Sequence, residues 1–152
     1  MTDLSVDLPD EAATRRAGAR LAKLLEPGDV VALYGNLGAG KTTLSRGVIQ
    51  ALCGDGVEAP SPTYTLVQTY EAPHLSIWHF DLYRLERPDE VYELGWDDAA
   101  SGVALVEWPE RAGALLPRWR LDLRLGEAGD GRRMVLEPHG EPWQRRIDGF
   151  RS

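Results

Sequence analysis

The chain has a single cysteine, Cys53, among its 152 residues, so no disulfide can form within it and a reducing compartment suits it. The expected role of Cys53 is that of a free buried thiol. No apolar run approaches the roughly 20 residues that a membrane-spanning helix needs. The first residues, MTDL, have neither the basic nor the apolar stretch of a secretory signal. A cytoplasmic protein with no membrane partner and no disulfide partner is the expectation. Positive charge is also short, with 17 Lys and Arg against 24 Asp and Glu and a net charge of −7. That excludes a general nucleic-acid binder, whose phosphate affinity comes from clustered cations. Internal repeats and low-complexity segments are absent. His74 and His79 lack companions at metal-ligand spacing and read as structural or exposed.

What remains is ordinary globular composition, 43% hydrophobic and 27% charged, at a length that suits one domain over residues 1–152. Residues 5–8 alternate weakly, as a first strand would. Pro9-Asp10-Glu11 is a helix start, followed by an apolar stripe through Ala13, Ala17, Leu21 and Leu25. VVALY (30–34) and VALV (103–106) are continuous apolar runs, as in strands buried on both faces of a parallel sheet. Residues 64–70 and 75–83 read as a strand pair, 88–100 as one or two short helices, and 118–125 and 132–137 as strands. Residues 138–152 read as a polar tail with a short helix. The predicted fold is α/β: a P-loop NTPase domain with a central, largely parallel sheet flanked by helices, and antiparallel strands added.

Residues 35–42 (GNLGAGKT) match G-x-x-x-x-G-K-[ST] at every fixed position, between an apolar strand and a helix. Gly35, Asn36, Gly38, Ala39 and Gly40 form a turn whose successive N–H groups can curl around an anion, because glycine adopts backbone angles that other residues resist. The helix beginning near Lys41 aims its unpaired N–H groups and the positive end of its dipole at the same point. Lys41 adds a mobile charge for the β and γ phosphates, Thr43 lies in the first turn, and the Thr42 hydroxyl suits Mg²⁺, which prefers oxygen donors. ATP and Mg²⁺ are thus the expected cofactors. A P-loop protein also needs a carboxylate at a neighbouring strand end. Glu107, after VALV, and Asp81, after SIWHF, are the two candidates for metal binding and hydrolysis.

Charge is unevenly distributed. Residues 1–110 carry 8 basic and 18 acidic side chains, whereas residues 111–152 carry 9 Arg and 6 acids. A partner-facing surface or a solvated face would each explain this.

The runs GNLGAGKTTLSRG (35–47), SPTYTLV (61–67), HFDLYRL (79–85), ELG (93–95) and EWPE (107–110) occur in an order and spacing that resembles the bacterial TsaE ATPases. The resemblance covers about residues 9–116. It implies ATP and Mg²⁺ at the P-loop, and slow ATP hydrolysis raised by two partners, TsaB and TsaD. It also implies a role in threonylcarbamoyladenosine modification of tRNA next to the anticodon, with tRNA reached only through the complex. Carried onto this chain, Lys41 contacts phosphate, Thr42 and Glu107 hold Mg²⁺, and Asp81 lies by the metal. Thr63 falls in a switch-like segment, Arg84 and Trp108 belong to the signature, and Glu11 lies near the base. Asn36 departs from the Asp common in the family. A small-molecule kinase and a nucleotide-gated binding module without hydrolysis are the rival functions.

Overall fold

The computed structural model describes residues 3–36, 40–62 and 64–150. The expectations for Gly38, Ala39 and Thr63 therefore lie outside the described residues. The chain runs β1 (Leu4–Leu8), α1 (Glu11–Ala22), β2 (Val30–Tyr34), α2 (Lys41–Cys53), β3 (Val67–Glu71) and β4 (Ser76–Asp81). It continues through a 3-10 segment (Pro88–Leu94), α3 (Trp96–Ala99), β5 (Val103–Glu107), β6 (Arg120–Ala128), β7 (Gly131–His139), α4 (Glu141–Arg146) and a last 3-10 turn (Ile147–Phe150).

Among the described residues the seven strands form one sheet, in the order β1-β7-β6-β2-β5-β4-β3. The four central strands, β6, β2, β5 and β4, are parallel. β7 and β1 extend one side antiparallel, and β3 extends the other. This is the expected α/β architecture. The sheet separates two apolar cores, and β5 is buried along its whole length, which is why its sequence shows no alternation.

Two glycines set how closely α1 and α2 cross. A Cβ at Gly18 would stand 2.3 Å from the Leu44 carbonyl oxygen, and one at Gly47 would stand 2.3 Å from that of Arg15. The helix backbones therefore touch, which brings the start of α2 beside the start of α1.

Three local expectations change. β3 begins at Val67, because residues 64–66 turn instead of extending: the Leu66 N–H donates to the Pro62 carbonyl at 2.7 Å, and Leu66 adopts φ 69°. The C-terminal segment is no loose polar tail. Trp143, Ile147 and Phe150 are buried in the first core, on the i, i+4, i+7 spacing of one helical face. Arg146 fastens the segment to Asp29 through bonds of 2.6 and 3.1 Å. Cys53 is half-buried rather than fully buried, and burial pushes its thiol above the usual value, with Glu71 adding to the shift.

Five arginines of the C-terminal third are paired with acids among the described residues. Arg120 pairs with Asp122, Arg124 with Glu137, Arg133 with Asp7, Arg145 with Glu141 and Arg146 with Asp29.

Candidate functional site

A cleft of about 400 Å³ opens at the start of α2, where β2, β4 and β5 end. Its floor comes from the helix start. Gly40 adopts φ 102°, a left-handed conformation natural to glycine, and its carbonyl accepts the Leu44 N–H at 2.9 Å, so α2 begins with its first N–H groups exposed to the cleft mouth. Gly40, Lys41, Thr42 and Thr43 all line the cleft.

Lys41 is only 4% exposed. Its ammonium donates to the Gly35 carbonyl at 2.6 Å and lies 3.6 Å from the centre of the Trp108 ring. Burial lowers its pKa below the usual lysine value, while Glu107, Asp81 and Glu110 act in the opposite sense. The result is a cation held against neutral partners, with carboxylates close enough to be felt.

The two strand-end acids are brought together by register. Asp81 and Glu107 are directly paired across the parallel β4–β5 ladder, so both project to the same face of the sheet. Both are buried, at 4% and 3% exposure. Glu107 accepts the Thr42 hydroxyl, with both carboxylate oxygens at 3.1 Å, and it meets His79 Nε2 at 2.6 Å. Asp81 accepts the Tyr83 N–H at 3.0 Å. Trp108, next after Glu107, takes φ 58°, an uncommon conformation for a bulky residue. Its ring packs against Tyr83 at 4.8 Å, and its other contact covers Lys41.

Most of the residues singled out in the sequence thus meet in one place: Glu11, Gly40, Lys41, Thr42, Thr43, Asp81, Glu107 and Trp108 line the same cleft. Gly35 contributes its carbonyl to Lys41, and Asn36 is exposed just beyond it. Arg84 is placed elsewhere: it is exposed and stacks on the Tyr64 ring at 4.5 Å.

The sequence reading missed two groups. One is the opposite wall, formed by Leu8 with Asp130, Gly131 and Arg132 at the β6–β7 turn. The turn reaches the site because β7 pairs antiparallel with β1, Leu8 opposite Arg132. A Cβ at Gly131 would lie 2.7 Å from the Leu8 carbonyl oxygen, and one at Gly40 would lie 3.9 Å from Arg132 Nε. No local pattern announces such a long-range approach. The other is His79, fully buried and bonded to Glu107. Its position two residues before Asp81 in a strand, and so on the same face, was the available signal.

The donor set fits a hydrated divalent cation and a phosphate chain. A hydroxyl and two carboxylates supply hard oxygens, and Gly40, Lys41 and the start of α2 line the same cavity. The fold and this cleft define a mixed α/β protein built on one sheet with a parallel centre. Residues 8–135 match the model of the family described as threonylcarbamoyl adenosine biosynthesis protein TsaE. The chain belongs to the TsaE family. It is 41% identical over 128 residues to the tRNA threonylcarbamoyladenosine biosynthesis protein TsaE of Rickettsia bellii, covering 84% of this chain and 89% of that one. The Haemophilus influenzae protein of the same name is 38% identical over 143 residues, or 90% of each chain. The crystal structure of Bacillus subtilis YdiB superposes with a TM-score of 0.79 at 29% identity, covering 97% of this chain and 93% of that one. No helix among the described residues is long and apolar enough to cross a membrane.

Proposed function

We propose that this chain binds ATP with Mg²⁺ and hydrolyses it in support of threonylcarbamoyladenosine modification of tRNA, acting with TsaB-type and TsaD-type partner proteins. One observation carries the reading. The Thr42 hydroxyl at the start of α2 and the Glu107 carboxylate at the end of β5 lie 3.1 Å apart in the cleft that also holds Lys41. Membership of the TsaE family supports the pathway, as do relatives whose names state that role.

The chemistry asked of the chain is mainly positional and electrostatic. Phosphoryl transfer requires the γ-phosphate to be held and its spreading charge stabilised. The start of α2 lines the cleft, and Lys41, held by the Gly35 carbonyl and the Trp108 ring, is the cation that would meet phosphate. When bound, Mg²⁺ supplies Lewis-acid neutralisation of phosphate charge. Thr42 and Glu107 are the residues that would hold it, with Asp81 beside them. A carboxylate at this strand end also orients the attacking water.

Phosphate release is the test. The isolated chain should hydrolyse ATP slowly, and turnover should rise when both partners are added. A fast ATPase indifferent to them would contradict the reading. Bound ATP that persists without phosphate release, partners included, would instead favour a nucleotide-gated binding module. A phosphorylated small-molecule product would favour a kinase.

A further inference from the structure

His79 is a buried polar side chain with a single hydrogen-bond partner among the described residues. Its side chain is 0% exposed, Nε2 lies 2.6 Å from Glu107 Oε2, and Nδ1 has no hydrogen-bond partner among the described residues. A polar atom left bare in a core opposes folding, so an isosteric apolar residue would serve packing better. The compensation is on the other side of the ring, where the bond to the carboxylate is short.

We propose that His79 is a positioning residue for Glu107: it donates an Nε2–H to Oε2 and so fixes the rotation of the carboxylate against the Thr42 hydroxyl. This rests on the reading of Glu107 as the carboxylate that holds the metal. Glu107 needs such help. Its side chain turns about three bonds, and the Thr42 hydroxyl has one proton to offer to two oxygens, each at 3.1 Å. That contact does not choose between the oxygens, whereas the 2.6 Å bond from His79 does. The bare Nδ1 determines the tautomer. A proton on Nδ1 would face no acceptor among the described residues, and moving the only N–H there would leave two lone pairs facing each other at 2.6 Å. Outer partners that orient a ligating group raise metal affinity by about 10–100-fold.

Three readouts test this. In wild-type protein, long-range ¹H–¹⁵N correlation spectra should show His79 with its proton on Nε2; the Nδ1–H tautomer would overturn the proposal. Mn²⁺ binding in the presence of ADP, followed by electron paramagnetic resonance, should weaken about tenfold in His79→Leu and recover to within about threefold of wild type in His79→Gln, whose amide N–H reaches the same place. ADP binding without metal should stay within about twofold in both variants, since residue 79 does not line the cleft among the described residues. Equal Mn²⁺ affinity in all three proteins, or equal loss in both variants, would overturn the role of the N–H. Wild-type protein that bound ADP but no Mn²⁺ would overturn the metal reading of Glu107, and the proposal with it. Melting temperatures of the variants separate these outcomes from misfolding.

Discussion

Glu107 on β5 and Asp122 on β6 are both buried acids, 3% and 1% exposed, on strands separated only by β2. Through β2, Glu107 is level with Leu33 and Leu123, whereas Asp122 is level with Ala32 and Val106. One register step separates them, so they project from opposite faces of the sheet. Their partners differ in kind as well. Asp122 is held by the Arg120 guanidinium at 2.8 and 3.3 Å and by His139 at 2.9 Å, while Glu107 is held by a hydroxyl and an imidazole. Asp122, Glu137 and His139 even bring ligand-type atoms within 4.8 Å of one another, yet Arg120 and Arg124 already neutralise the two carboxylates. A buried acid matched by a guanidinium ties strands together. One held by a hydroxyl and an imidazole keeps charge available for a cation.

The largest effect that would break this contrast is on stability. Asp122→Ala leaves Arg120 and His139 without their shared acceptor, and denaturant unfolding should show a loss of about 3 kcal/mol. An unchanged midpoint would remove the structural half of the comparison. At the cleft, Lys41→Ala should abolish measurable nucleotide binding in an ATP titration, because the variant removes the buried cation. Glu107→Gln should retain nucleotide affinity but lower phosphate release by about 100-fold, the lower end for losing a positioned carboxylate. The same substitution should leave unfolding stability within about 1 kcal/mol or raise it, since a buried functional charge opposes folding. A loss as large as that of Asp122→Ala would make the two acids alike. Smallest is His139→Gln, expected to change stability by under about 1 kcal/mol, because the His139 side chain is 39% exposed and Arg120 still holds Asp122.

Much of this contrast could be read locally, and part of it could not. The phosphate turn, the strand before it and the helix after it are consecutive in the chain, so the pattern of residues 35–42 carries its own context. VALVE and SIWHFD end in acids, and strand ends at a parallel sheet edge are where such acids act. Arg132, Asp130 and His79 escaped, because their importance depends on what lies across a ladder or a turn. The same holds for the arginine-rich third. Its excess charge left a partner surface and a solvated face open, and which acids meet it was not readable. Three arginines pair with Asp122, Glu137 and Glu141 of the same third, and two with the distant Asp7 and Asp29.

By itself the sequence determined that a glycine-bearing turn opens onto a helix bearing Lys41 and Thr42, and that buried strands end in Asp81 and Glu107. These are properties of neighbours along the chain, dictated by backbone sterics and hydrophobic periodicity. Only the tertiary structure decided that Asp81 and Glu107 share one face, that His79 stands behind Glu107, and that the β6–β7 turn forms the far wall. Those facts depend on strand register and order, and pairing between segments far apart in the chain leaves no local trace in composition or spacing.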